Sequence, residues 1–379
     1  MPFIPRQKAD SFLIREICVI CGYMPEPRCT VELITLERKT RAVRMRNPFM
    51  QVDVLPDKGA DIYAITHLNT GVDVMWKSPL GLRPLDHGHF ARDTQAAWLE
   101  CYEGGWQEIL PHAGEAETYK GVELTFHGES TLLPWEFEVI KDAGDEVVVD
   151  FEVSLFRSPF KLTRRMVMNA QTSHLRLIER VTNLADEPMD FMWGHHPAYG
   201  APFLSEHLRV STNARTVWTD SSFDSAFATA VAGETTEWPY AKGKDGGLVD
   251  LRTFPPESER HSYMGYLRDF DGDPWYALTN PVLKLGVGVA WTPSAFRHLW
   301  FWQEMRAATG FPFYGRTYTM ALEPHSSYPH SLVNVMNTTK THHTLAAGAS
   351  LGAELTFAMF DYAGGDVEGI DLSGVVKMK

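Results

Sequence analysis

The sequence predicts an all-β protein of antiparallel sheets. Three observations carry that expectation. Short runs of alternating apolar and polar residues recur along most of the 379-residue chain. Asn, Asp, Pro and Ser, which favour turns, fill the links between them. Apolar residues at helical spacing over three or more turns are missing, whereas a parallel α/β fold would need amphipathic helices between its strands.

The elements follow in order. Residues 1 to about 40 read as an N-terminal arm or extra strands packed on the outside. They hold Cys18 and Cys21 in a Cys-x-x-Cys pair, with Cys29 close by and Cys101 far off in sequence. Four cysteines make no disulfide framework, and reduced thiols are the simplest reading beside a zinc site or a redox pair. The main domain spans residues 41–365. Its best helical segment is short, Arg92 to Cys101. Val147 to Phe156 alternates in its second half, with Phe151, Val153 and Leu155 on one face and Glu152 and Ser154 on the other. Strands follow at Leu162–Met168, His174–Val181 and Met189–Trp193. Five more lie at Trp275–Thr279, Leu283–Trp291, Leu299–Trp302, Thr317–Leu322 and Ala353–Phe360. Gly233–Glu259, rich in Gly, Pro, Lys and Glu, reads as a surface insertion, because strand signals flank it on both sides.

Composition narrows the function classes. Lys and Arg total 35 against 48 Asp and Glu, a formal net charge of −13. That field does not attract nucleic acid or an anionic membrane. No apolar run reaches the roughly 18 residues of a membrane helix, and no signal peptide is evident, which points to the cytoplasm. Neither a dinucleotide-binding nor a phosphate-cradling Gly-rich loop is present. Long sheet edges and the N-terminal segment are compatible with a homodimer.

Three places could hold chemistry: Phe126-His127-Gly128-Glu129, Trp193-Gly194-His195-His196-Pro197, and Ala321-Leu322-Glu323-Pro324-His325. In the last, alternation puts Glu323 on a small and polar face with Thr317, Thr319 and Ala321, so its carboxylate could point into a cleft floored by the sheet. It could equally be a solvent-facing glutamate at a strand end. Adjacent His195 and His196 in extended backbone point to opposite sides, so one of them faces any given pocket. Pro197 holds His196 in extended geometry. Trp106 and Gln107 sit in a Gly-rich stretch and could line a site. Trp193, Trp300 and Trp302 are further rings against which a sugar face could pack, although core packing is the commoner use. His87 and His89 would share one side of an extended segment, as metal ligands could, while a surface or substrate-binding loop accounts for them as well.

Taken together, the three places resemble the aldose 1-epimerase (galactose mutarotase) superfamily over residues 45–365. The resemblance rests on Asp57-Lys58-Gly59-Ala60-Asp61-Ile62, His127-Gly128, His196-Pro197 and Leu322-Glu323-Pro324, in that order. Gly104-Gly105-Trp106-Gln107-Glu108-Ile109-Leu110-Pro111 and the doubled histidine look more like a bacterial branch of undefined substrate than the galactose enzymes. The resemblance implies a large antiparallel β-sandwich and interconversion of sugar anomers. It makes Glu323 the base and His196 the acid, with His127 near the ring oxygen. The chemistry needs no metal or redox cofactor. The Asn-Arg pair of the typical enzymes is absent, so Arg83 and Arg92 are candidates for the sugar-binding arginine by position only. Asp269 stands in for the aspartate that contacts sugar hydroxyls, and His195 and Trp302 complete the expected substrate-binding set. Three rivals stand beside this reading. One is a hydrolase or lyase that pairs Glu323 with Glu108 or Glu304. Another is a non-catalytic sugar-binding or regulatory protein on the same scaffold, and the third is a purely structural interaction protein.

Overall fold

A computed structural model describes residues 28–83, 93–223 and 225–379. Arg92, His87 and His89 lie outside the described residues, as do Cys18 and Cys21. Among the described residues two large sheets, one of thirteen strands and one of eight, form the body, and all of their strand pairings are antiparallel.

The eight-stranded sheet shows how alternation becomes a layer. Strand Glu146–Ser154 pairs with Phe160–Asn169, which pairs with His174–Asn183, which pairs with Ser350–Asp361. Val147, Val149, Phe151 and Val153 are buried, while Asp150 and Glu152 between them face outward and pair with Arg165 and Lys161. Because strand side chains repeat every two residues, this pattern commits one face to the core and the other to water. Buried Leu162, Met166, Leu175, Leu177, Leu355 and Phe357 continue the inner face.

The thirteen-stranded sheet covers that face. Its central strands run Asp61–His67, Trp106–Ile109, Gly194–Gly200, Tyr318–His325 and His298–Met305. Ile62, Trp106, Met320, Leu322 and Phe301 belong to the same core as Phe357, and the Trp106 and Phe357 rings are 6.3 Å apart. Cys29–Thr35 forms a strand near one end of this sheet, and Thr235–Glu237 from the Gly233–Glu259 segment lies at the other. The chain continues past residue 365 into a hairpin, Val367–Ile370 with Val376–Met378. Val367 and Ile370 pack on Trp275, Ala277 and Ala290 of the small sheet.

The large sheet also carries side chains on its other face, and here the candidate site lies. Trp76, Ala198, Ala321 and Phe313 form a second apolar cluster there, closed over by Trp98 and Tyr102 from the short helix Thr94–Glu100 and its exit. The helix begins at Asp93, whose carboxylate accepts from the Ala96 amide at 2.7 Å, an N-cap. Among the described residues no helix is long and apolar enough to cross a membrane.

Candidate active site

Strand register brings His196 and Glu323 together. Gly194 pairs with His325 and Ala198 with Ala321, which puts His196 opposite Glu323. Both side chains lie on the face away from the small sheet. His196 Nε2 is 3.6 Å from Glu323 Oε1, and the other carboxyl oxygen, Oε2, is buried without a partner among the described residues. The Tyr102 hydroxyl lies 3.4 Å from His196 Nδ1. Burial pushes the Glu323 carboxyl well above its ordinary range and lowers the His196 imidazole to about 4. Desolvation disfavours each charged form, so the pair prefers a neutral carboxylic acid beside a neutral imidazole.

His127 reaches the same cleft from a turn. Its φ of 54° and the 72° of Gly128 put two successive residues in the left-handed region. A side chain at 128 would collide with the Leu110 carbonyl oxygen, so the second position calls for glycine. The Gly114 amide donates to His127 Nδ1 at 3.0 Å, which assigns the ring proton to Nε2. Burial holds this imidazole well below 6.5, so His127 presents a neutral N–H donor. Its ring centroid is 5.9 Å from that of His196.

These groups line a cleft of about 410 Å³. Trp98, Tyr102, Trp300, Trp302 and Phe313 give it aromatic walls, and the Trp302 ring is 5.9 Å from His196. Asp220, Ser222 and His330 make a second polar end. Asp220 Oδ1 accepts from the Ser222 amide and hydroxyl and from the Phe223 amide, and Oδ2 accepts from the Tyr266 hydroxyl. Ser222 Oγ also lies 2.9 Å from His330 Nε2. Among the described residues no arginine or lysine lines the cleft.

Five expected substrate contacts do not line the cleft. Trp106 points into the inter-sheet core, donating from Nε1 to His195 Nδ1 at 3.0 Å. His195 faces the same interior, and its Nε2 lies 3.0 Å from Glu179 Oε2. Alternation along the strand sends its neighbour His196 to the cleft and His195 away from it. Asp269 has a φ of 57° near the end of strand His261–Phe270 and accepts from the Thr216 hydroxyl on a separate surface hollow. The aspartate in the cleft is Asp220. Arg83 is held by Glu100, with Nη1 2.6 Å from Oε2, and does not line the cleft. Gln107 shares the His196 face, as its cross-strand partner. It is fully buried among Asp61 and the Gly104 carbonyl, behind the cleft lining.

The carboxylates proposed as hydrolytic partners are occupied. Glu304 Oε1 accepts from the Ala307 and Ala308 amides, both at 2.7 Å. Glu108 is on the interior face with Arg164, Glu179 and His195. Those interior acids and the histidine lie close enough for a metal ion, but the Arg164 guanidinium and the Trp193 indole already take up the Glu108 carboxylate. Cys29 and Cys101 are both buried.

The two-sheet architecture is that of galactose mutarotase-like proteins. A candidate aldose 1-epimerase from Klebsiella pneumoniae superposes with a TM-score of 0.67 at 16% identity, covering 88% of this chain and 84% of that one. A galactose mutarotase-like protein from Clostridium acetobutylicum gives 0.62 at 15% identity, covering 88% and 99%. The Slr1438 protein from Synechocystis gives 0.58 at 16%, covering 90% and 100%. At such identities the likeness is one of fold. Among curated proteins no sequence match was found. The sequence itself, over residues 37–359, matches the family described as a domain of unknown function, DUF4432, and the chain belongs to that family.

Proposed function

We infer that the protein is an aldose 1-epimerase-like enzyme, interconverting the α and β anomers of a free sugar. The observation that carries this reading is the His196–Glu323 pair, 3.6 Å apart at the floor of an aromatic cleft, with Glu323 Oε2 buried and unpartnered among the described residues. A buried carboxyl oxygen without a hydrogen-bond partner is unfavourable, and a sugar hydroxyl placed there would satisfy it.

Anomer exchange needs one proton taken from the anomeric hydroxyl and one given to the ring oxygen. A sugar hydroxyl donating to Glu323 stabilises its carboxylate and moves the pair's proton to His196. Glu323 then takes the hydroxyl proton while His196 protonates the ring oxygen, and the ring opens to the aldehyde. The proton now sits on the carboxyl and the imidazole is neutral, the distribution that burial favours. Rotation about C1–C2 and the reverse transfers close the other anomer, so no proton leaves the site. The Nε2–H of His127 steadies charge at the ring oxygen. Tyr102 orients His196 through Nδ1, and Trp302 and Trp98 hold the apolar face of the ring.

The test is anomer exchange by one-dimensional NMR magnetisation transfer across hexoses, pentoses, deoxy sugars and uronic acids, with Glu323→Gln alongside. Faster exchange with the wild type, lost in the variant, supports the reading. Absence of acceleration with every sugar sinks it.

A further inference from the structure

We propose that the cleft continues into a second binding position at its mouth, on Phe311 and Tyr314, which takes the next ring of a reducing disaccharide or longer oligosaccharide. This rests on the mutarotase reading of the same site. The His196 ring lies 5.9 Å from Trp302, and Trp302 lies 6.3 Å from Phe313. Phe313 is largely buried in the wall, but Phe311 two residues before it is 47% exposed and Tyr314 just after it is 58% exposed. Their rings are 6.5 Å apart and close to perpendicular. Phe311 lines the cleft together with Trp302 and Phe313, and Tyr314 stands beside Phe311, so aromatic side chains reach from the cleft to exposed rings at its mouth.

The mouth is a fixed platform. Glu304 anchors the start of this loop through the Ala307 and Ala308 amides. The Gly315 amide returns to the Ala308 carbonyl at 2.7 Å, and the Tyr314 amide to that of Gly310 at 2.8 Å. The Arg316 guanidinium lies 5.9 Å from the centre of the Tyr314 ring. These bonds hold two large aromatic side chains outward at the rim of a cleft already walled by aromatics. Rigid rings bind sugar faces with little loss of side-chain freedom. The reacting anomeric carbon must sit at the floor, beside Glu323 and His196. In a reducing oligosaccharide only the terminal ring carries that carbon, and the rest of the chain extends away from it toward the mouth.

The experiment compares glucose and galactose with maltose, cellobiose and lactose, using the wild type, Tyr314→Ala and Phe311→Ala in the magnetisation-transfer assay. The expected result is a higher kcat/KM for at least one disaccharide than for its reducing monosaccharide. Tyr314→Ala should cut the disaccharide-to-monosaccharide ratio about 10-fold, the equivalent of one aromatic contact of about 1.4 kcal/mol, and Phe311→Ala should cut it similarly. Exchange with monosaccharides alone, or equal ratios in all three proteins, overturns the second position and leaves the mutarotase reading standing. If no sugar exchanges faster, the mutarotase reading fails, and line broadening in the same samples decides the second position. Disaccharide broadening lost in Tyr314→Ala supports it, and its absence overturns it. Because both side chains are exposed, melting temperatures within about 2 °C of wild type confirm intact folding.

Discussion

One strand separates two buried polar clusters built from the same residue types. On the interior side of Gly194–Gly200, His195 joins Glu179, Glu108 and Arg164. On the cleft side, His196 meets Glu323. The interior cluster is closed. Arg164 donates to both glutamates, the Trp193 indole donates to Glu108 at 2.8 Å, and the Trp106 indole fixes the His195 tautomer. Burial raises Glu108 and Glu179 to about 7, the guanidinium opposes that rise, and His195 falls to about 3. Among the described residues the cleft cluster has no such cation in contact, and one carboxyl oxygen is left without a partner. A histidine and a glutamate at 3 to 4 Å therefore say little about function. The distinction lies in which of them still has hydrogen-bonding capacity to spare.

The largest effect that would sharpen this contrast comes from Glu323→Gln. It is expected to slow anomer exchange by about 10²- to 10⁴-fold, the usual worth of a general acid–base group, while leaving the fold no less stable. The raised carboxyl makes a second statement. The native state keeps a proton that the unfolded chain loses above about pH 4.5, so stability from this group is present below that pH and declines as pH rises toward the folded value. The melting temperature of Glu323→Gln should therefore pull ahead of wild type as pH rises from 4.5 to 8, and the two should converge below 4.5. A gap that is constant with pH would show that Glu323 is not held neutral.

Next in size is Arg164→Ala. It strips the counter-charge from two buried glutamates and is expected to lower unfolding free energy by about 3–5 kcal/mol, read by urea denaturation at pH 7. If the variant is as stable as wild type, the interior cluster is not the closed structural network described above. Tyr102→Phe should have the smallest effect. Losing one long hydrogen bond to His196 Nδ1 is worth about 0.5–1.5 kcal/mol, seen as a drop in kcat of up to about 10-fold. An unchanged rate would remove Tyr102 from the orienting role.

Much of this was legible in the residues. Alternation around Phe151 and Val153, and again around Met320 and Leu322, foretold both the strands and the face on which Glu323 emerges. Opposed directions for His195 and His196 followed from the same rule, although His195 was still expected to touch substrate. Trp106 was misplaced because a Gly-rich neighbourhood suggests a loop, whereas Gly104 and Gly105 lead directly into a central strand whose first residue turns inward. Asp220 went unseen because Asp-Ser-Ser after the Ala214–Thr219 strand reads as an ordinary turn, and it is one, with Oδ1 accepting from the amides of Ser222 and Phe223. What brings it to the cleft is the sheet order, which local sequence does not encode. Trp98 and Tyr102 follow the same logic, since a seven-residue helix gives too little periodicity to show which face is covered.

The two-sided strand also limits how this protein can drift over generations. Losing or gaining one residue within Gly194–Gly200 would exchange the rooms into which the two histidines open, unseating a core network and the proposed acid–base pair in a single event. Descendants of this sequence can change letters along that strand, but variation in length belongs to segments such as the aromatic loop at the cleft mouth, where new substrates can be sampled without disturbing the wall behind them.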